Sequence, residues 1–459
     1  MTEQMIKEFS ILSGRKNEFM NNSRLPARVD THNPLVTEFF KDYEYPVSSW
    51  PVLIDKEISG QLNRLTLRIP ALLRLIPSLY FNDDVKKIAA FYFDNDEMIA
   101  QLAMMCHAKQ TEIGCRLDLT YTGDGFKVLE ANMGTSIGGW QIQSFEPAIR
   151  QYHPELSGKD TAGHYRVINT QRVYIRFLVE QVMKFAGGGN KAVNLFIVLN
   201  DGEKNQEQMQ EGAQFFDNLV MRELNSRGIK GKTFTGDMSA LKLSDGNLYF
   251  GDDEVHGLII FGLGPVNIAP AVFRAFAIDK IYFPDHVGLT ILGDKRNLGI
   301  LRELAEAGKF SPEDNELILK HIPWTVFLEN RVVEYDGLDY ELPELLLSCK
   351  DNFVIKHARG FQGKDVFVGK FVEMEEWKDA LKMALNNKQF IAQEFNESVD
   401  FLAPNAQSEW TPHKLIWGAF GFGKYYGGVW VRMAEVKSGA AVINSATGAV
   451  EAIVYEIVE

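Results

Sequence analysis

Between residues 115 and 132 apolar and polar side chains alternate on both sides of a Thr122-Gly123-Asp124-Gly125 cluster. Period-two alternation around turn-forming residues predicts a β-hairpin. A register centred on Asp124 sets Asp118 opposite Glu130 and Arg116 opposite Asn132, and leaves Leu117, Leu119, Leu129 and Ala131 on the other face, toward a core. A one-residue slip would carry Glu130 in among those leucines, which burial disfavours.

The pattern elsewhere is mixed. Residues 1–110 read as mainly helical, with segments at 34–43, at 56–79 broken by its prolines, and at 83–108; Ile58, Leu62, Leu65 and Ile69 share one helical face. Residues 137–152 read as loop plus a short helix, with Trp140 packing or, as the alternative, stacking on a ligand. From 165 to 285 helix and strand alternate: a helix at 167–185, a buried strand at 192–199, a helix at 205–227 stopped by Gly228, a strand at 232–235, a hairpin within 241–250 and a strand at 257–261. This is a Rossmann-like order, but no GxGxxG follows a strand, so a dinucleotide site is unsupported, and Gly187-Gly188-Gly189 reads as a connection. Farther on, Asp294 reads as the N-cap of a helix carrying Leu298, Leu301 and Leu304 in phase, and Ser311-Pro312-Glu313-Asp314 as a second helix start. A strand at 353–356 ends in Lys356, a glycine-interrupted loop spans 357–364, and a strand returns at 365–369. A helix at 375–386, a strand at 390–395 and an apolar strand at 427–433 containing Arg432 complete the pattern.

Composition narrows the function classes. The chain has 459 residues, 46% hydrophobic and 24% charged, with a net charge of −13 and no Lys/Arg-rich run, which argues against nucleic acid as a partner. Cys106, Cys115 and Cys349 are too few for a disulfide framework and lack zinc-site spacing, which fits a reducing cytoplasm. The polar 1–28 segment has no apolar stretch of signal-peptide type, and the uncharged 257–273 run is broken by glycines and prolines, so neither export nor a membrane span is expected.

The candidate chemistry lies on the polar face of the hairpin. Two carboxylates, an amide and a guanidinium there are hard-oxygen chemistry suited to Mg²⁺ shared with phosphates, and the Asn132–Gly139 run that follows lets backbone approach a ligand. A solvated face with a cross-strand Arg/Asn pair is the plainer alternative. Lys295 in a first helical turn opposes the helix dipole, which hints at service to something outside the helix. Lys356 at a strand end facing a flexible loop suits a phosphate clamp, with a cationic hairpin tip as the alternative. Arg432 in an apolar strand calls for an anionic partner, from protein or ligand.

Taken together, the hairpin R-x-D … L-E-x-N-x-G at 116–134, "GDKRNL" at 293–298, "IPWT" at 322–325, "VIKHARGFQGKDV" at 354–366 and "FIAQEF" at 390–395 resemble the ATP-grasp family. With the metal-side hairpin first and the lysine strand last, the order resembles the circularly permuted group that includes the synthetase part of glutathionylspermidine synthetase. The likeness covers 112–145 and 290–450. It implies an α/β (α+β composite) fold: a helical region at 1–110, a hairpin part of the core at 111–164, a Rossmann-like unit at 165–289, and a nucleotide and lid part at 290–459. It implies that Asp118, Glu130 and Asn132 hold Mg²⁺, that Arg116 and Arg432 are catalytic, and that Lys295, Lys356 and Gly360 serve the ATP phosphates. Gln393, Glu394 and Phe395 would form the adenine edge through backbone groups, and 357–364 the lid. The implied activity is an ATP-dependent carboxylate–amine ligase using small-molecule partners: an amino acid, a peptide or a polyamine, or a carrier-bound group. A small-molecule phosphotransferase and an inactive nucleotide-binding protein are the alternatives.

Overall fold

A computed structural model describes residues 25–156, 165–187, 192–200, 206–262, 266–360 and 365–458. The hairpin forms from strands Gly114–Thr122 and Gly125–Met133, with Arg116 opposite Asn132 and Asp118 opposite Glu130. That is the register the alternation predicts. Toward the turn the pairing shifts by one, so Leu119 faces Val128. This bulge at Leu129 reconciles the charged pairs with a two-residue turn, in which Thr122 pairs with Gly125. It also corrects the expected core: Val128 is buried with Leu117, Leu119 and Ala131, whereas Leu129 is partly exposed.

The hairpin is the edge of an eight-stranded sheet. Its order runs Val52–Ile54, Val450–Ile457, Tyr425–Glu435, Trp410–Phe422, then the two hairpin strands; Phe401–Pro404 pairs with Trp410–Phe422, and Tyr165–Arg166 with Val450–Ile457. The sequence pattern missed Trp410–Phe422 because its first half is polar and glycines interrupt its second half. Those glycines are steric requirements. A Cβ on Gly418 would stand 2.1 Å from Trp430 Nε1, and one on Gly421 would stand 2.5 Å from the Thr66 carbonyl.

One face of this sheet packs on helix Lys56–Leu73, whose Ile58, Leu62, Leu65 and Ile69 meet Leu117, Leu119, Trp417, Val431 and Ala452 in one core. Asp55 caps the helix by accepting the Ile58 N–H at 2.9 Å. The helix runs through Pro70, contrary to the expected break there, and a second helix follows at Ile76–Phe81. The carbonyl that Pro70 cannot bond, that of Thr66, is the one lying against Gly421.

Two other expectations for this region fail. Residues 34–43 hold only a 3-10 turn, Glu38–Phe40, because Phe39, Phe40 and Tyr43 spread into an aromatic cluster with Phe145 and Phe215. The 83–108 segment is two helices, Val85–Tyr92 and Glu97–Ala108, separated where Asp94 and Asn95 take positive φ.

The α/β pattern is realised as three parallel strands in the order Gly257–Gly262, Val193–Asn200, Gly231–Thr235. A four-stranded antiparallel sheet, Thr325–Phe327, Phe390–Glu394, Phe353–His357 and Val366–Val368, carries Lys356. Helix Met374–Leu385 backs it with Trp377, Ala380, Leu381 and Ala384. The chain is thus a mixed α/β protein with several sheets. No helix among the described residues is long and apolar enough to cross a membrane.

Two glycines give opposite expectations. Gly418→Ala drives a Cβ into Trp430 and should cost about 1–3 kcal/mol. Gly60→Ala, at an exposed helix position with nothing within 4 Å of the added carbon, should leave stability unchanged or raise it by roughly 0.5–1 kcal/mol. Denaturant midpoints of the two variants check both signs.

Candidate functional site

The other face of the large sheet packs Phe420, Phe422, Trp430, Ile453 and Tyr455 into a second core, and beside them it carries a group of charged side chains. Arg116 reaches two residues along its own strand to Asp118, with Nε 2.7 Å from Oδ1 and Nη2 3.1 Å from Oδ2, while its Nη1 donates to the Gly138 carbonyl at 2.7 Å. Arg432, two strands away, adds Nη2 at 2.9 Å from Asp118 Oδ2. Burial alone would raise the Asp118 carboxyl; the two guanidiniums outweigh it and hold the group at about 2. On the facing strand Glu130 Oε1 lies 3.2 Å from Lys295 Nζ, which also donates to the Gly360 carbonyl at 2.7 Å.

Lys295 is placed from two sides. Its helix, Arg296–Glu306, begins one residue later than expected, so Lys295 is the N-cap, and the Asp294 carboxylate accepts the Arg296 N–H at 3.0 Å. Asp294 is buried and also receives the Arg296 guanidinium at 2.9 and 2.7 Å and Arg359 Nε at 3.3 Å. The Lys295 N–H then donates to the Ala358 carbonyl at 3.1 Å, which ties this helix start to the loop after the lysine strand. Residues 361–364 of the expected lid lie outside the described residues.

Lys356 donates to Gln393 Oε1 at 2.7 Å, and Gln393 Nε2 donates to Thr325 Oγ1 at 3.1 Å. Burial lowers the Lys356 ammonium to about 8; Glu130 and Asp118 pull it back up, and Lys295 pushes it down. Lys356 therefore feels charges on the hairpin although it sits on another sheet.

Arg116, Asp118, Glu130, Lys295, Lys356, Gly360, Gln393 and Arg432 thus form one connected set, and Asn132 joins it opposite Arg116. Two buried nitrogens in the set, Asn132 Nδ2 and Arg432 Nε, have no hydrogen-bond partner among the described residues. Glu394 and Phe395 lie at the end of strand Phe390–Glu394. Their backbone N–H groups are already committed, to the Trp324 carbonyl at 2.8 Å and the Asn352 carbonyl at 2.7 Å. Neither can offer the adenine edge a backbone donor without breaking a bond that joins the strands.

As site residues the pattern did not mark Gly138, Asp294 (read there as a helix cap), Arg359 or Glu451. The first lay in a visible glycine run and the next two within the quoted motifs. Glu451 had no sequence signal: it is buried opposite Arg432 on the neighbouring strand, and accepts Tyr43 Oη at 2.7 Å and Ser445 Oγ at 2.6 Å. Burial raises its carboxyl, opposed by those hydroxyls and by Arg432 and Arg116.

Among the described residues no cluster of three or more His, Cys, Asp or Glu side chains is placed to hold a metal. The hairpin offers two carboxylates and one amide, and both carboxylates are neutralised by protein cations. One or two protein carboxylates fit Mg²⁺ that takes its other ligands from phosphates and water. They do not fit a self-sufficient metal cage. A crevice of about 1010 Å³ beside the parallel sheet, lined by Val198, Thr235, Asp237 and Asn267 among others, includes none of this set.

No family model matches the chain, and no curated protein does. Among solved structures, one that matches is D-alanyl-alanine synthetase A from Vibrio cholerae O1 biovar eltor str. N16961, at 10% identity and a TM-score of 0.26, covering 50% of this chain and 68% of that one. A superposition of that size identifies neither a fold nor an activity.

The Lys356 ammonium supplies a pH test. Below about 8 it is charged and attracts anions; as pH rises through that value the attraction is lost. Tripolyphosphate binding, measured by calorimetry, should weaken between pH 7 and 9. Lys356→Gln should bind more weakly at pH 7 and show a flatter profile.

Proposed function

We propose that this chain is an ATP-dependent carboxylate–amine ligase built on a circularly permuted ATP-grasp core. The observation that carries the reading is the convergence of four cations (Arg116, Lys295, Lys356, Arg432) with two carboxylates where the hairpin meets the lysine strand and the start of helix Arg296–Glu306. In this reading residues 111–164 and 290–459 belong to the core and 165–289 to an added α/β unit, while helix Lys56–Leu73 of the 1–110 region supports the sheet from behind.

The chain's own residues supply positioning and charge neutralisation. A polyphosphate takes over Lys295 and Lys356, which frees Glu130 and gives Lys356 a stronger partner than the Gln393 amide. Asp118, Glu130 and Asn132 would hold Mg²⁺, which neutralises phosphate charge when bound. Arg116 and Arg432, as fixed donors, would stabilise the charge on the transferring phosphate and on the acyl-phosphate that forms. The carboxylate oxygen bonds to the γ-phosphorus as the bond to ADP breaks. An amine then attacks the acyl carbon and phosphate leaves. No covalent protein nucleophile is needed, and both Cys106 and Cys115 are buried with their thiols raised by burial. The partners of this reading are a small carboxylate and a small amine, with neither nucleic acid nor membrane involved and the cytoplasm as its setting.

The test is nucleotide turnover with Mg²⁺ and a mixed pool of amino acids, short peptides, small carboxylates and polyamines. We expect ADP and free phosphate that depend on the pool, and a loss of about 10²-fold or more in Glu130→Ala, the scale for removing one charge-stabilising group. AMP with pyrophosphate, or a stable phosphorylated product without free phosphate, would refute the ligase.

A further inference from the structure

We propose that Asp285 is a positioning residue of the site: it fixes the Gly134–Gly138 loop against the parallel sheet and, through the Gly138 carbonyl, sets where Arg116 points. Asp285 touches none of the charged set itself.

The chain leaves the hairpin at Asn132 and returns to it at Gly138, whose carbonyl accepts Arg116 Nη1 at 2.7 Å. Midway between them is Thr135, fully buried. Each of its polar atoms is held. Its N–H donates to Asp285 Oδ1 at 3.1 Å, its hydroxyl to Asp285 Oδ2 at 2.5 Å, and its carbonyl accepts Tyr174 Oη at 2.9 Å. Asp285 Oδ2 also accepts the Ile260 N–H at 2.9 Å, and Ser136 Oγ donates to the Ile260 carbonyl at 2.6 Å. One carboxylate therefore joins the loop to strand Gly257–Gly262. Gly134 takes φ +127°, and a Cβ there would lie 3.1 Å from Leu289 and 3.5 Å from Asp285 Oδ1. The turn is shaped to bring Thr135 onto this acceptor.

A carboxylate in this place is unusual because no cation repays its burial. Among the described residues it forms no ion pair, and the titratable groups facing it are Tyr174, from the helix packed on the loop, and Tyr282, from its own segment, both kept neutral by burial. Its chain neighbour His286 is held uncharged by burial, at about 4. Three hydrogen-bond donors do what a salt bridge would otherwise do, and burial still lifts the carboxyl to about 6. An ordinary loop anchor would need only a hydroxyl or an amide. An ionised acceptor makes shorter, stronger bonds to N–H groups, and this one grips the peptide three residues from Asn132 and three from Gly138.

The inference rests on Arg116 belonging to the site and not on the reaction, so it is tested without substrate. The readout is the Arg116 Nε–H resonance in ¹⁵N NMR, identified with Arg116→Lys, across pH 5 to 8. In the wild type we expect this resonance to move with a midpoint near 6. Asp118, the partner of Arg116, titrates at about 2 and cannot produce that midpoint; Glu451, whose carboxyl is raised by burial and which also acts on Arg116, is kept in every variant, so the loss of the midpoint in Asp285→Asn is what assigns it. Asp285→Asn should displace the resonance and abolish the midpoint. Thr135→Val, which keeps the loop's volume and removes one donor, should displace it in the same direction by less, and decides the matter if Asp285→Asn does not fold. Asp279→Asn, which breaks the Lys109–Asp279 pair elsewhere, should leave the resonance and its midpoint in place. An Arg116 resonance that is identical in wild type and Asp285→Asn, or in wild type and Thr135→Val, overturns the proposal.

Discussion

The site is organised by one buried carboxylate. Asp118 sits in the middle of a sheet face where an ionised group cannot stay without close partners, and it has two guanidiniums from different strands. Those bonds need Arg116 two positions along the same strand, and Arg432 on a strand separated from it by Trp410–Phe422. The long middle strand must therefore carry something small between them. Gly418 stands directly opposite Asp118 and opposite Trp430 in the pairing. Its missing side chain leaves room for the Trp430 ring on the same face as the charges.

Around that pair the cations outnumber the carboxylates, and most of them already have a protein partner. Arg116 and Arg432 serve Asp118, Lys295 serves Glu130, and Lys356 donates to the Gln393 amide. Each cation is held on a separate support: the hairpin, strand Tyr425–Glu435, a helix start and a second sheet. Two guanidiniums on Asp294, at the base of the loop carrying Gly360, lock the helix start to that loop. A polyanion entering such a set exchanges protein partners for its own oxygens instead of meeting bare charge.

The hairpin was legible because both its signals are local. Alternation sets the face, and the turn residues set the register to within the bulge at Leu129. The Ser311 cap, the parallel strands of the α/β unit and the lysine strand were legible for similar reasons. The misses share a cause as well. Trp410–Phe422 is a strand by virtue of its neighbours, since its glycines are demanded by Trp430 and by the Thr66 carbonyl and lower any local strand signal. Pro70 remains inside a helix because that same carbonyl has a place against Gly421. The 34–43 segment gives up helical form to put three aromatic rings into a cluster formed with residues more than a hundred positions away.

By itself, then, the sequence determined which side chains could share a face: Arg116, Asp118, Glu130 and Asn132 follow from a two-residue period and one turn. It did not determine which charge meets which. The partnership of Lys295 with Glu130, the reach of Arg432 to Asp118 and the capture of the Glu394 and Phe395 donors depend on elements that lie far apart along the chain. Only tertiary structure decided those contacts, because electrostatic pairing and hydrogen bonding are set by distances of a few ångströms, and local periodicity carries no information about which distant strand will come that close.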